Sequence, residues 1–313
     1  MLEDLLKAGH CFKLICGAGK EDIEEVRKLV YIYALAGCRF FDLSANLDVI
    51  DSARDALQKA DVEDAYLCVS VGLKGDPHSN KAVIDYNRCV NCGSCESVCP
   101  ERAIHYAKVK RNKCIGCGRC AKVCPRGAIS YISEEKQLNE VMPDIIKIGV
   151  DCIEFHVVGQ NEEEVFTKWK YLKENFDGML SICVCRAKLS DEAFINRINK
   201  MIDGRKPYTT VIQADGFPMS GGEDSYKSTL QAVAAAEIVS NAKLPVYLIM
   251  SGGTNSKTSE LAKMCEIPNN GVAVGSYARK IVRRYLDRDD FWINQNVIDD
   301  AVEAARRLVE CCE

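Results

Sequence analysis

The sequence lacks several features that would each indicate a class of protein. No run of about eighteen apolar residues occurs in its 313 residues, so we expect no membrane-spanning helix. Positive charge is not in excess, because the formal net charge is −4, and this argues against a chain that binds nucleic acid. The sequence also has no obvious acid–base pair and no nucleophile elbow, so it offers no direct signature of catalysis.

An apolar signal segment is also missing at the start of the chain. Cysteine, by contrast, is abundant, with 18 residues. Disulfides are disfavoured because many of these cysteines have the spacing of metal ligands. We therefore expect a reducing, cytoplasmic environment.

Eight of the cysteines form two copies of one motif, C-x₂-C-x₂-C-x₃-C-P. The copies run from Cys89 to Pro100 and from Cys114 to Pro125. This spacing is typical of bacterial two-cluster ferredoxins, in which the fourth cysteine of each copy ligates the other cluster. The predicted ligands of the two [4Fe–4S] clusters are Cys89, Cys92, Cys95 and Cys124 for the first, and Cys114, Cys117, Cys120 and Cys99 for the second. Zinc knuckles are the alternative, but zinc needs neither a third close cysteine nor the proline.

Charge is unevenly distributed along the chain. The segment from Tyr86 to Tyr131 carries +7, which leaves −11 for the remaining residues. The positive charge could compensate the negative charge of thiolate-bound clusters, or form a docking face for an acidic redox partner protein. A solvated surface without a partner is the third interpretation.

Outside this segment the chain alternates between apolar runs and helical patterns. Eight runs predict strands, at 12–16, 40–43, 65–71, 152–156, 179–185, 209–213, 246–250 and 271–274. Eight strands separated by helices favour parallel strands closed into an α/β fold, a (β/α)₈ TIM-like barrel. An open doubly wound sheet remains the alternative.

The cysteine-rich segment interrupts this alternation after the third strand. It is entered through Lys74-Gly-Asp-Pro-His78. We expect a barrel formed by residues 1–75 and 132–313 and a dicluster ferredoxin-like insert of residues 76–131, called here the dicluster module. Because loops after barrel strands surround the active site in this fold, the module should stand beside the barrel mouth.

The loops after the last two predicted strands are rich in glycine. They read Ser251-Gly252-Gly253-Thr254-Asn255 and Gly275-Ser276-Tyr-Ala-Arg279. Loops at these positions often bind phosphate through exposed N–H groups and a helix N-terminus. The predicted cofactor-binding residues are Ser251, Gly252, Gly253, Thr254, Gly275, Ser276 and Asp215, with FMN or another phosphate-bearing molecule as ligand.

Further polar residues at predicted strand ends are candidates for the same site. They are Asp42, Ser44, Glu154, His156, Arg186, Gln213 and Asp215, and each could instead be a cap or a hydrogen-bonding residue inside the barrel. Cys183 and Cys185 share one face of a strand and could bind a further metal, although buried structural thiols are the commoner case. Cys311 and Cys312 end a helical tail and should be exposed or frayed.

Several segments spread over nearly the whole chain resemble the light dependent period A (LdpA) family of iron–sulfur proteins. They are Phe12-Lys-Leu-Ile-Cys-Gly17, the two cysteine motifs, Ile212-Gln-Ala-Asp-Gly-Phe-Pro-Met-Ser-Gly221, Ser251–Asn255 and Gly275–Arg279. The resemblance implies two [4Fe–4S] clusters in a soluble protein that reports the redox state of the cell.

Three functions are therefore compared. The first is a redox sensor of the LdpA kind, and the second is a carrier that passes electrons through the clusters with the barrel as a docking platform. The third is an oxidoreductase that uses a flavin or another phosphate-bearing cofactor at the barrel mouth. The missing acid–base signature ranks the sensor or carrier first.

Overall fold

The structure is a computed structural model that describes residues 1–17, 19–72, 80–133, 137–157, 161–186, 189–216 and 222–312. The entry segment Lys74–His78 and residues 217–221 of the family-like block lie outside the described residues. Among the described helices, none is both long enough and apolar enough to cross a membrane.

Eight parallel strands close into a barrel within the described residues. Their bounds are β1 (Cys11–Ile15), β2 (Phe40–Ser44), β3 (Tyr66–Gly72), β8 (Cys152–Val157), β9 (Met179–Cys185), β10 (Thr210–Asp215), β11 (Tyr247–Ser251) and β12 (Gly271–Val274). Around the barrel they follow the order β1-β12-β11-β10-β9-β8-β3-β2. The predicted barrel is therefore confirmed, and the open sheet is excluded.

Helices surround the barrel and explain why its strands are buried on both faces. Their bounds are α2 (Ile23–Leu35), α3 (Leu47–Lys59), α6 (Leu138–Ile148), α7 (Glu162–Asn175), α8 (Asp191–Ile202), α9 (Tyr226–Asn241), α10 (Thr258–Met264), α11 (Ser276–Leu286) and α12 (Gln295–Cys312). Side chains capable of capping precede several helices: Asp22 Oδ1 accepts from the Glu25 amide, and Ser190 Oγ from the Ala193 amide. Parallel strands covered in this way read as continuous apolar runs.

A short N-terminal helix closes one end of the barrel. Helix α1 (Leu2–Lys7) was not predicted. Its residues Leu2 and Leu6 pack with Phe40 and Tyr247 at the amino ends of the strands. The carbonyl of Leu6 accepts a hydrogen bond from Asn270. With this end filled, the opposite end, at the carboxyl ends of the strands, is the open mouth.

The predicted helical tail consists of α11 and α12, joined through a 3₁₀ turn at Phe291–Ile293. Helix α12 lays an apolar face on the barrel, and its last turn is still packed. The expectation for Cys311 is confirmed, because it is exposed, but that for Cys312 is wrong. Cys312 is buried because Ser259 donates a hydrogen bond to its carbonyl and its thiol points to the Asn255 carbonyl.

The dicluster module follows β3 as predicted. Strands β4 (Asn80–Ile84) and β7 (Ile129–Ser133) pair antiparallel, so the two ends of the module lie side by side. Between them lie the short helices α4 (Ser94–Ser97) and α5 (Arg119–Val123) and the β5–β6 hairpin (Ile104–His105 with Lys108–Val109). Because β3 pairs directly with β8, the barrel sheet continues without a gap across the insertion point.

Candidate functional site

The eight motif cysteines surround two separate cavities in the module. One is lined by Cys89, Cys92, Cys95 and Cys124, and the other by Cys99, Cys114, Cys117 and Cys120. This grouping is the one that the motif predicts, in which each fourth cysteine crosses to the other set. All eight are free thiols, so their sulfur atoms are available for metal. The donor set therefore fits two four-cysteine iron–sulfur sites, and the ligand assignment itself stays a prediction.

The two halves of the module also share backbone geometry. The amides of Ala103 and Ala128, each four residues after a fourth cysteine, donate to the sulfurs of Cys99 and Cys124 at 3.2 Å in both cases. Gly93 and Gly118 precede the two short helices in the left-handed conformation, which glycine adopts without strain. N–H groups aimed at cluster sulfurs raise the reduction potential of such sites.

The two cysteine sets differ in exposure. Cys92 of the first set is exposed, whereas Cys114 and Cys120 of the second are buried. The hydroxyl of Tyr131 lies 3.3 Å from Cys120 Sγ and closes the second cavity further. The first cavity thus faces the surroundings, and the second lies deeper.

A buried group of charged side chains joins the module to the barrel. Glu101, directly after the first motif, contacts Lys20 at 2.5 Å, Arg283 at 3.1 Å and Arg279 at 3.5 Å. Glu25 contacts the same lysine and lies 2.9 Å from Arg283. Burial alone would raise the pKa of Glu101, but Arg279 and Lys20 outweigh it and lower the pKa to about 2. We call these five residues the docking network.

Further contacts hold the module in the same position. The Glu21 amide donates to the Asn112 carbonyl at 2.9 Å, and Lys81 donates to the carbonyls of Gly19 and Cys114. Since the carbonyl of Cys114 and the loop after β1 share one lysine, the second cysteine set is fixed against the barrel.

The barrel mouth contains a cavity of about 100 Å³ lined by the predicted loops. All seven predicted cofactor-binding residues line it: Asp215, Ser251, Gly252, Gly253, Thr254, Gly275 and Ser276. Gly252 and Gly253 have φ values of 78° and 80°, a conformation that favours glycine. Ile115, which follows Cys114 in the module, lines the same cavity. The structure thus brings the two glycine turns together beside the module.

A larger cavity of about 480 Å³ extends from the mouth along the module. It is lined by four cationic side chains, Arg119, Arg279, Lys280 and Arg283, together with Glu101, Glu223 and the start of α11 at Ser276. The N-terminus of an eleven-residue helix adds a partial positive charge. The charge and shape of this space suit an anionic ligand.

A buried lysine that the sequence analysis missed lies beneath the mouth. Lys13 is fully buried in β1, and its ammonium group donates to Glu154 Oε2 at 2.5 Å and to Gln213 Oε1 at 2.9 Å. It also lies 3.5 Å from Asp42, whose other oxygen accepts from Ser70. The one available signal was a charged residue inside the apolar run 12–16.

Burial and the charges of neighbouring side chains shift the pKa values of the two carboxyl groups in this floor in opposite directions. Burial would lower the pKa of Lys13, but Asp42 and other nearby groups raise it well above its usual value, so the lysine stays cationic. Burial raises the pKa of Asp42 to about 6, although Lys13 opposes the shift. The pKa of Glu154 is lowered, because Lys13 and His156 outweigh its burial. Such opposed shifts in a cleft are typical of functional sites.

His156 and Cys183 rise from this floor towards the cavity. His156 Nε2 lies 3.2 Å from Glu154 Oε1, and Cys183 Sγ lies 3.9 Å from Asp215 Oδ2. Burial raises the pKa of the Cys183 thiol well above its usual value. Among the predicted candidates, Asp42, Glu154, His156, Gln213 and Asp215 line the mouth cavity, together with Cys183.

The remaining candidates have other surroundings. Ser44 is buried at the end of β2 but does not line the cavity, and Arg186 forms an ion pair with Asp191 at 2.8 Å. The thiol of Cys185 lies 4.0 Å from the Gly216 carbonyl, outside the cavity lining.

Two family models match the chain. Residues 144–311 match the light dependent period A C-terminal domain, and residues 82–131 match a 4Fe-4S dicluster domain. A curated relative, light dependent period A of Synechococcus elongatus, is 32% identical over 300 residues, which cover 91% of this chain and 84% of that protein.

Solved structures resemble the chain only in overall fold. Dihydrodipicolinate synthase from Oceanobacillus iheyensis aligns with a TM-score of 0.44 and 11% identity, covering 97% of this chain and 80% of that one. A truncated 3-deoxy-D-arabino-heptulosonate 7-phosphate synthase from Thermotoga maritima aligns with a TM-score of 0.47 and 9% identity, covering 94% and 85%. Likenesses at this level carry no information about chemistry.

Proposed function

The chain belongs to the light dependent period A family, and on this premise we propose that it carries electrons through two [4Fe–4S] clusters towards the mouth of its barrel. One observation carries the proposal. Ile115 lines both the deeper cysteine cavity and the barrel-mouth cavity, so the two sites share a wall. An electron at the second cysteine set would therefore lie next to whatever the mouth binds.

The module's own residues would hold and tune the metal. When bound, such clusters accept and release single electrons. The two cysteine sets supply four thiolates each, and the amides of Ala103 and Ala128 would stabilise the added negative charge at Cys99 and Cys124. We infer that residues 76–131 act as one dicluster unit on a barrel of residues 1–75 and 132–313.

The first cysteine set, called the outer set here because its cavity faces the surroundings, would exchange electrons with a partner protein. Around it, Tyr86, Val90 and Tyr106 are 68%, 57% and 74% exposed, and Arg88 and Arg126 add positive charge at the surface. Exposed aromatic and apolar side chains rimmed by cations suit an acidic redox partner. Electrons would then pass from this surface through the outer set to the deeper one.

Redox sensing is a variant of this first proposal, because it uses the same two clusters. The deeper cysteine set adjoins Glu101, and Glu101 is the anion on which three barrel cations converge. A change in charge at that set would alter the electrostatic balance of the docking network and so the position of the module. A partner that contacts both parts could read this change.

An oxidoreductase with a phosphate-bearing cofactor is the second candidate. It is favoured by the convergence of Gly252, Gly253 and Gly275 with the start of α11 in one cavity. Exposed N–H groups and the helix dipole would bind the phosphate, and Arg279 would add charge. FMN or a related molecule would then lie beside the deeper cysteine set.

Metal content tests the first proposal. Protein purified without oxygen should contain about eight irons and eight acid-labile sulfides per chain, as the two four-cysteine sets require. Two zinc ions without sulfide would contradict the proposal.

Bound small molecules separate the two candidates. Mass spectrometry of the acid-released fraction, together with the absorption spectrum, shows whether a flavin or another phosphate ester is present. With the clusters and the added FMN both kept fully reduced by excess dithionite, FMN should alter the electron paramagnetic resonance signal that survives in Cys89→Ser and leave unchanged the signal that survives in Cys114→Ser. Equal effects on both signals, or no effect on either, would contradict binding of FMN at the mouth.

A further inference from the structure

We propose that Glu154, His156 and Cys183 bind a divalent transition-metal ion, Zn²⁺ or Fe²⁺, at the floor of the barrel mouth. Each residue offers one ligand atom, and these three atoms all lie within 4.8 Å of one another. This site is distinct from the two cysteine sets and does not depend on the proposed path of electrons.

The strand register brings the three side chains together. Glu154 and His156 are two residues apart on β8, so both point into the barrel. His156 is the direct neighbour of Cys183 on β9. All three are buried, with exposed fractions of 0%, 5% and 4%, and all three line the mouth cavity. The trio is thus held by two adjacent strands of a closed barrel, which are rigid supports.

The spacing of the nitrogen and oxygen donors suits a single ion. Two ligands at about 2.1 Å from a tetrahedral metal are roughly 3.4 Å apart. The distance between His156 Nε2 and Glu154 Oε1 is 3.2 Å. One imidazole nitrogen, one carboxylate oxygen and one sulfur form a donor set of intermediate softness, which favours Zn²⁺ or Fe²⁺ over Mg²⁺ or Ca²⁺.

Neighbouring residues orient the carboxylate of Glu154. Its Oε2 accepts from Lys13 at 2.5 Å and from Ser181 at 2.9 Å, and its Oε1 accepts from Gln213 at 2.7 Å. An ionised carboxylate offers about four lone-pair positions, and the fourth points to His156 Nε2 at 3.2 Å, so a bound ion would replace this one hydrogen bond and leave the other three in place. Hydrogen bonds of this kind fix the ligands of protein metal sites.

Charge in the floor also favours a cation. The buried carboxylates of Asp42 and Glu154 contact the buried ammonium group of Lys13, and the buried carboxylate of Asp215 lies 3.9 Å from Cys183 Sγ. Arg279 also lines the cavity, but it contacts Glu101 at 3.5 Å and donates to two carbonyls. Three carboxylates and the Cys183 thiolate that metal binding requires exceed the charge of Lys13 by three, so one divalent ion would offset most of the remaining negative charge.

The site would keep an open coordination position. Three protein ligands and a position that faces a cavity are typical of catalytic metal sites. Here the open position faces the space enclosed by the two glycine turns. A metal ion at this point could polarise a carbonyl or oxyanion of a ligand whose anionic end is held by those turns.

A hydrogen-bonded barrel layer without metal is the competing interpretation, and zinc titration distinguishes the two. The full chain, first shown to contain its full iron and sulfide, is titrated with Zn²⁺ by calorimetry without oxygen. One ion per chain should bind, and Cys183→Ala and His156→Asn should each weaken binding by more than roughly 100-fold. Cys185→Ala is the matched control, because Cys185 lies two residues after Cys183 on β9 but outside the cavity lining. This variant should bind Zn²⁺ as the wild type does. Unchanged affinity in the two ligand variants would overturn the proposal.

X-ray absorption at the zinc edge tests the wild-type protein directly, so the result does not depend on how the variants fold. One sulfur at about 2.3 Å with nitrogen and oxygen at about 2.0–2.2 Å is expected. Zinc with oxygen and nitrogen neighbours alone, or with four sulfurs, would overturn the proposal, because the ion would then be adventitious or held by the motif cysteines. A parallel titration in which Fe²⁺ competes with Zn²⁺ identifies the ion that the trio prefers.

Discussion

Glu101 is the central anion of the docking network, and Glu101→Gln should loosen the module from the barrel. The substitution keeps the side-chain volume and removes only the charge. Lys20, which is fully buried, and Arg283 would then keep Glu25 as their carboxylate partner within the network, whereas Arg279 would lose its contact with a network carboxylate. We expect the two parts of the chain to separate more often while each part stays folded.

The free-energy cost of Glu101→Gln follows from the burial of the ion pairs that Glu101 forms. Removing one partner of a buried ion pair costs about 3–5 kcal/mol, and the remaining Glu25 places this case near the lower end. The pKa of Glu101 gives a similar figure, since a shift from 4.5 to about 2 corresponds to ~3 kcal/mol. A cost of this size raises the population of the opened form by about two orders of magnitude.

Hydrogen exchange under anaerobic conditions measures this opening. The amide of Glu21 donates to Asn112 across the joint, and its exchange should accelerate by about 100-fold in Glu101→Gln. Iron and sulfide content should not change, because no cysteine is replaced. Glu96→Gln is the matched control, since Glu96 lies in the same module and its carboxylate binds His105 and the Tyr106 amide rather than a barrel residue. Wild-type exchange at Glu21 in Glu101→Gln would refute the reasoning.

Three further predictions concern the clusters, the mouth and its floor. Cys89→Ser and Cys114→Ser should each weaken a different electron paramagnetic resonance signal, because these cysteines line different cavities. Gly253→Val should abolish binding of FMN, measured by fluorescence, because a β-branched residue is strained at φ 80° and would block the approach of an anion to the backbone. Lys13→Met should lower the unfolding free energy by roughly 3–5 kcal/mol in urea, because it leaves buried carboxylates without their cation, whereas Lys7→Met, at an exposed position of α1, should change it little.

Each of these has a clear contrary result. Loss of one and the same resonance signal in both cysteine variants would contradict the crossed grouping. Undiminished FMN binding in Gly253→Val, with both clusters retained, would show that the glycine turns do not hold the ligand. Equal urea midpoints for Lys13→Met and the wild type would mean that the lysine does not neutralise Asp42 and Glu154.

The barrel and the cysteine sets could be predicted from the sequence because both depend on local patterns. Strand β9 was predicted with the bounds that the structure has, since a buried parallel strand is a continuous apolar run. The motif spacing likewise determined which cysteines line each cavity. Glycine turns after the last two strands located the mouth, because chain order determines where those loops lie.

The missed features depend on contacts between residues far apart in the chain. Lys13 lies in an apolar run, and its partner Glu154 is 141 residues away. Glu101 and Lys20 are 81 residues apart, and nothing near either residue indicates the other. The burial of Cys312 was missed because a terminal turn looks exposed until α12 is placed on the barrel.

The pairing of β3 with β8 bears on how this architecture could arise. The ladder runs from Cys68–Cys152 to Gly72–His156 without using any residue of the module, and the module's own ends meet in the β4–β7 ribbon. A gene segment encoding the module could therefore enter or leave an ancestral barrel at this junction without breaking its closure. An inserted module held only by its two chain connections would have no fixed orientation. It would gain a fixed place beside the barrel mouth once the barrel acquired Lys20, Glu25 and Arg283 opposite Glu101.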